Sequence, residues 1–382
     1  MGPFFSKLRR GQRAKGIRSR SEARYITLYS SFASFPFVKF FLPHSRLGPR
    51  CGNRLFYLTV QTKIITIIPV YNGEKFIRQT LESLAKQTLR PDRVIVLDNC
   101  STDGTERIVK EFQPIKCEWI RNPTNIGLFG NCNRGLEFAP ETKYLSYLCA
   151  DDLIEPTFFE VTTAALESCD GFGMAYSLDE RIDENNRRLS VSGKVSGGVQ
   201  EIPSDTFISR KAEIANQAFS GTLMKVNYQK APCQFRTDMP ILADVAFWGE
   251  FGKHCRKVVQ INQPLCKYRW HGDNATNTAM PGMQALILDE WRVMQMNEKL
   301  RNDNSNFIRK FKLKGLFAVR TGIKAKRIRQ QNNLTYSREI VVEGKKISGP
   351  LAWYLGQVVV ETRDALIYGV LRRPKHPKNV YS

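Results

Sequence analysis

Seven consecutive residues, Ile64-Ile65-Thr66-Ile67-Ile68-Pro69-Val70, are almost wholly apolar and are closed off by Tyr71-Asn72-Gly73. The run is too short for an independent helix, so it predicts a strand buried on both faces, as in a parallel sheet. Ile77, Leu81 and Leu84 then recur at i, i+4 and i+7. That spacing predicts an amphipathic helix, with Asn72 and Gly73 supplying its capping chemistry. Leu89-Arg90-Pro91 stops the helix, and Arg93 to Leu97 predicts the second strand. The two strands of such a βαβ unit, joined by a right-handed crossover, aim their carboxyl ends the same way. Pro69 to Asn72 and Asp98 to Gly104 are therefore expected on one crevice, where ligands of open α/β sheets bind.

Asp98-Asn99-Cys100-Ser101-Thr102-Asp103-Gly104 is dense in short polar side chains and precedes a helix expected from about Thr105 to Phe112. A carboxylate there can accept hydrogen bonds from a base or ribose; equally, Asp98 and Asp103 can cap the loop's own backbone. Cys117 to Ile120 predicts a third strand, and Tyr144 to Leu148 another buried one. The latter ends in Cys149-Ala150-Asp151-Asp152, ahead of a helix started by Pro156. Adjacent carboxylates repel unless paired. A hard divalent ion offsets the repulsion and completes its shell with substrate phosphates. Helix capping by Asp152 is the simpler alternative.

Pro69-Val70-Tyr71-Asn72 and Val96-Leu97-Asp98-Asn99-Cys100-Ser101-Thr102-Asp103-Gly104-Thr105 together resemble the opening of a family 2 glycosyltransferase, P-x-Y-N followed by V-x-D-[DN]-x-S-x-D-G-T. The resemblance continues to His271, through an N-x-G…N-x-G stretch at Asn125, Gly127, Asn133 and Gly135, the acidic pair, and a close at Tyr268-Arg269-Trp270-His271 that is similar to Y-R-x-H-x-x-N. It implies the GT-A fold, a Rossmann-like α/β architecture with a mixed, mostly parallel sheet and helices on both faces. It further implies transfer of a sugar from a nucleoside-diphosphate sugar to a hydroxyl of a saccharide or lipid-linked acceptor, inverting and assisted by Mg²⁺ or Mn²⁺, in cell-surface polysaccharide or glycolipid synthesis. Under that resemblance Pro69, Tyr71, Asn72, Asp98, Asp103, Asn125, Gly127, Asn133 and Arg269 hold the nucleotide, and Asp151, Asp152 and His271 hold the metal. The chain departs from the pattern at Cys149, where the commoner D-A-D-D has its first acid, and at Ala243, where Glu is frequent.

Transfer to a hydroxyl needs a base that removes its proton. Asp244 is the only acid between Asp238 and Glu250 and is flanked by Leu242, Val245 and Phe247, an apolar surround that raises a carboxylate's pKa. It is the expected catalytic base; a helix N-cap at the same position is compatible with that role. Two rival functions share some of these features. A sugar nucleotidyltransferase uses the same sheet type, but carries a Gly-rich, Lys/Arg-containing loop after the first strand, where this chain has Pro69 to Asn72. A degenerate transferase domain serving as a basic membrane or nucleic-acid adaptor draws its support from Cys149 and Ala243.

Basic charge gathers at the ends. Residues 1–54 hold 12 Lys+Arg against one Glu and residues 301–382 hold 18 against five Asp+Glu, while the stretch between is near neutral. Such ends suit an anionic partner. Three regions are expected: 1–60, a basic disordered extension; 61–280, the GT-A domain; and 281–382, a basic helical C-terminal region. Nine cysteines without C-x-x-C spacing argue against a disulfide framework and a zinc site, and for a reducing compartment. Gly282 to Lys299 predicts a helix packed on the core. Phe307 to Gln331 mixes apolar residues with nine Lys/Arg, the composition of an interfacial amphipathic helix. Pro350 to Leu371 is more apolar, but its 11-residue run before Glu361 is too short to span a bilayer. The expected location is cytoplasmic and peripheral on an anionic leaflet, with nucleic acid not expected as a partner; a helical hairpin covering the nucleotide domain is the alternative.

Overall fold

The computed structural model describes residues 63–214, 217–272, 274, 283–301, 307–330 and 333–364. The basic extension 1–60 and the stretch after Asp364 lie outside the described residues. β1 (Ile64–Val70) is buried at every position. Ile65 and Ile67 enter one core and Ile64, Ile68 and Val70 another, which is why the run is nearly all apolar. β2 (Arg93–Asp98), β3 (Cys117–Arg121) and β4 (Tyr144–Tyr147) join it in parallel, in the order β3-β2-β1-β4. The sheet continues through β9 (Thr222–Lys225), β6 (Gly173–Ile182), β10 (Lys257–Arg269) and β5 (Leu153–Ile154), with β7 (Arg188–Val191) on β6 and β8 (Val199–Glu201) on β10. β9 is antiparallel to β4 and β6, and β10 is parallel to β6. Six of the ten strands among the described residues thus point one way, in a mixed, mostly parallel sheet. Their carboxyl ends share one edge.

α1 (Ile77–Ala85), α2 (Thr105–Glu111) and α4 (Phe158–Leu166) cover one face; α3 (Leu128–Leu136), α5 (Ser204–Ala212) and α6 (Ala243–His254) cover the other. Two local expectations are corrected. No side chain caps α1: the carbonyl of Gly73 accepts from the amides of Phe76 and Ile77, while the Asn72 side chain turns to the loop after β2. The two strands expected at Lys257 to Ile261 and Leu265 to Trp270 are the single strand β10. Pro264 lacks an N–H, and the register slips on both sides of it, so the ladder absorbs the proline as an irregularity without ending.

Among the described residues four helices follow: α7 (Met283–Leu300), α8 (Phe307–Gln330), α9 (Leu334–Ser348) and α10 (Pro350–Asp364). The segment expected as an interfacial helix is α8, and its apolar stripe is used inside the protein. Leu313, Phe317, Ala325 and Ile328 belong to the same core as Ile65 and Ile67, packed with α7 and α9. No helix among the described residues is long and apolar enough to cross a membrane. Glu290 of α7 is buried between the cations Arg320 and Lys324 of α8 and ties the two helices together. Removing one partner of a buried ion cluster leaves the others uncompensated. Glu290→Ala should therefore lower stability by about 3–5 kcal/mol, seen as a lower urea midpoint; a loss below about 1 kcal/mol would mean solvent already screens the cluster.

Candidate active site

The loops after β1 and β2 are laced together at the shared edge. The amide of Asn72 donates to Ser101 Oγ at 2.8 Å, that of Thr102 to Asn72 Oδ1 at 2.8 Å, that of Gly73 to Thr105 Oγ1 at 2.8 Å and that of Glu74 to Asp103 Oδ2 at 2.9 Å. Asn72 adopts φ 53°, a left-handed conformation that asparagine tolerates better than most residues. Asn72 and Asp103 thus shape the crevice wall. Pro69 is buried in β1, and Tyr71, 52% exposed, stands at the mouth.

Asp98, at the end of β2, is fully buried. Arg121 stands opposite it in the β2–β3 register and donates to Asp98 Oδ2 at 2.6 Å, while the Ser101 amide donates to both carboxylate oxygens. Arg121 was not singled out in the sequence; its signal is its place at a strand end in register with Asp98. An amide ladder lies beside this pair. Asn99 Oδ1 accepts from Asn122 Nδ2 and the Ile126 amide, Asn99 Nδ2 donates to Asn125 Oδ1, and Asn122 Nδ2 donates to Asn131 Oδ1. Asn125 also receives the Gly127 amide, and Gly127 sits at φ 78°, where a side chain would be strained. Asn133 exchanges two hydrogen bonds with the backbone of Phe235, so it clasps the loop before α6.

On the other side of β1 the chain after β4 forms an acidic cluster. Thr80 of α1 donates to the carbonyls of Ala150 and Asp152, fixing this turn against that helix. Asp152 is 1% exposed; its Oδ1 accepts from the Arg269 amide at 2.9 Å and its Oδ2 from Ser220 Oγ at 2.6 Å. Asp151 is more open, its side chain 27% exposed. Its Oδ2 meets His271 Nε2 at 2.9 Å and Asn274 Nδ2 at 3.3 Å, while Oδ1 has no hydrogen-bond donor among the described residues. Burial, and then the charge of Asp151, push the Asp152 carboxyl well above the ordinary carboxylate range.

Donor chemistry shows which residues fit a cation. Ligand atoms of Cys149, Asp151 and Asp152 lie within 4.8 Å of one another, a set of one sulfur and two carboxylates. His271 is not part of that set; it holds Asp151 from behind. Arg269 also has a different place from the one expected at a phosphate. It is fully buried, and its guanidinium donates to the carbonyl of Asp151 at 2.7 Å, to Asn186 Oδ1 at 2.7 Å and to Gln79 Oε1 at 3.0 Å, with the ring of Phe76 4.6 Å away. Its donors are taken up by the acidic turn, by α1 and by the β6–β7 connection, whose Asp183 and Glu184 carbonyls also accept from it.

Asp244 lies in the first turn of α6, half-buried, its Oδ1 accepting the Val245 amide at 2.8 Å. Burial pushes its carboxyl up to about 6, against the opposing pull of the Val245 amide and the Lys211 charge. Lys211 of α5 is itself buried and pushed down to about 7. No hydrogen bond among the described residues joins Asp244 to the acidic cluster. Burial, and then the Asp244 charge, push up the thiol of Cys132 on α3.

A mixed sheet with its loops converging at one edge, an acidic turn after the fourth strand and a desolvated acid opening a later helix define an α/β enzyme of the nucleotide-sugar transferase class. Residues 65–224 match the model for glycosyl transferase family 2, which places this segment of the chain in that family. The matched segment holds both laced loops and the acidic pair; Asp244, Arg269 and His271 lie beyond it. An uncharacterized glycosyltransferase of Haemophilus influenzae is 27% identical over 220 residues, 56% of this chain and 67% of that protein. One of Rickettsia prowazekii is 31% identical over 223 residues, covering 56% and 66%. One of Rickettsia bellii is 28% identical over 236 residues, 61% of this chain, which spans only 32% of that protein. Among solved structures, TarS 1-349 of S. aureus, in complex with UDP-GlcNAc, matches 67% of this chain and 70% of its own with a TM-score of 0.51. At 18% identity that likeness speaks for the fold.

Proposed function

We propose that this protein moves a sugar from a nucleoside-diphosphate sugar to a hydroxyl acceptor with inversion, in the synthesis of a cell-surface polysaccharide or glycolipid. The observation that carries this reading is the Asp151 carboxylate, held by His271 and Asn274 on one oxygen, with ligand atoms of Cys149 and Asp152 within 4.8 Å of it. UDP-GlcNAc, present with TarS, makes a uridine diphosphate sugar the first donor to test. Tyr71 at the mouth and the Asp98–Arg121 corner would meet the nucleoside. Cys149 and Asp151, with Asp152 behind them, would hold a divalent cation, which would offset the charge of the departing diphosphate. Arg269 and Ser220 keep that turn in place, and Asp244 takes the acceptor's proton. The transition state is oxocarbenium-like, so alignment of the acceptor opposite the leaving group supplies much of the acceleration.

Incubation with UDP-, GDP- and dTDP-sugars, with and without Mn²⁺, tests the reading by release of nucleoside diphosphate. Consumption of a nucleoside triphosphate would favour a nucleotidyltransferase, and silence toward every donor would favour the adaptor. A sulfur donor disfavours the hard Mg²⁺ relative to Mn²⁺. Turnover is therefore expected to be higher in Mn²⁺ than in Mg²⁺ and to fall on chelation. Cys149→Asp should narrow that preference; an equal response to both ions before and after the substitution would place Cys149 outside the cation's shell.

A further inference from the structure

Along α10, Leu351, Tyr354, Leu355, Val358 and Val359 recur at i, i+3, i+4, i+7 and i+8, and each is between 45% and 67% exposed. They form one stripe on a helix about 22 Å long. No charged residue occurs between Lys346 and Glu361 to interrupt it. The opposite face is already committed. Gly356 lies so near Ala318 of α8 that a Cβ would come within 2.7 Å, Trp353 packs over Gly344 of α9, and Ala352 and Val360 are buried. One apolar face fastens α10 to the protein, and a second is displayed to solvent. A continuous exposed stripe of this kind marks an interaction site.

Charge identifies the occupant. Residues 307–364 carry 13 Lys+Arg against four Asp+Glu, and residues 365–382 carry four Lys+Arg and no acid. A second copy would bring the same excess of positive charge to the contact, whereas an anionic lipid surface complements it and also receives apolar side chains. The stripe stands on a single helix, with apolar residues on one side and basic residues such as Lys345 and Lys346 exposed before its first turn. That is the pattern of a helix lying in the plane of the headgroups. We propose that α10 docks this protein on an anionic phospholipid surface, with Leu351, Tyr354, Leu355, Val358 and Val359 entering the boundary between headgroups and acyl chains. This docking face differs from the helix that the sequence favoured, α8, and is independent of the catalytic reading.

The test uses the full chain in co-sedimentation with extruded vesicles, one set of phosphatidylcholine alone and one of phosphatidylcholine with phosphatidylglycerol. The protein is expected to partition onto the anionic vesicles, less so as NaCl rises, and to leave the neutral ones nearly bare. The double substitution L355E/V359E places charge on the exposed stripe and should lower anionic-vesicle binding by at least about tenfold, with circular dichroism and Tm unchanged. Equal binding by the folded double variant would overturn the proposal. So would a wild-type dimer in sedimentation velocity that the substitution dissolves, with no vesicle binding by either protein, because the stripe would then belong to a second copy.

Discussion

Asp244→Asn is expected to lower kcat by about 10²- to 10⁴-fold, the usual contribution of a positioned general base, and to leave nucleotide affinity nearly unchanged. Asparagine keeps the volume and an oxygen for the Val245 amide, so helix α6 retains its first turn. What it loses is the ability to accept a proton. The pH dependence has a definite sign. Burial holds the Asp244 carboxyl up to about 6, and only its ionised form is a base, so the wild-type rate should rise as pH climbs through that value and then level off. The Lys211 charge favours the ionised form, so Lys211→Met should move the rising limb to higher pH. Stopped-flow or coupled assay of diphosphate release across pH 5 to 8 reads both effects. Turnover by Asp244→Asn at the wild-type rate would remove this residue from the chemistry.

Asp151→Ala should cost at least about 10²-fold in turnover and, unlike the Asp244 substitution, should also weaken Mn²⁺-dependent binding of UDP in calorimetry. The reason is geometric: Asp151 has the carboxylate oxygen of the cluster that no donor among the described residues occupies. His271→Gln is the graded control. It loosens the orientation of Asp151 without removing it, and a change of roughly 10- to 100-fold in metal affinity is the range for such supporting groups. If Asp151→Ala bound UDP as tightly as wild type in Mn²⁺ and turned over normally, the acidic turn would be a loop cap and the cation would have to be held elsewhere.

The buried strands, the βαβ crossover and the two acidic positions were legible because each is a local pattern. An apolar run of seven closed by a turn can be little else than a strand covered twice, and Asp98 and Asp151 follow such runs directly. The loop residues carried less information. Asn72 and Asp103 could be placed at the crevice but not assigned a partner, because their bonds cross about 30 positions of chain. Arg269 sits in a recognisable motif, yet its guanidinium meets carbonyls of two separate loops, the acidic turn and the β6–β7 connection, that no spacing rule reveals. For α8 the composition of an interfacial helix was real, but composition does not say whether water, lipid or another helix receives the apolar side.

The sequence by itself determined which segments become strands and which strand ends carry acids, since period and turn chemistry act over a few residues. Tertiary structure alone decided that Arg121 faces Asp98, that Asp152 is committed inward while Asp151 keeps an oxygen open, and that α8 is covered while α10 is displayed. Those outcomes depend on register and packing between segments far apart in the chain, where burial sets whether a polar atom meets a partner or is left available.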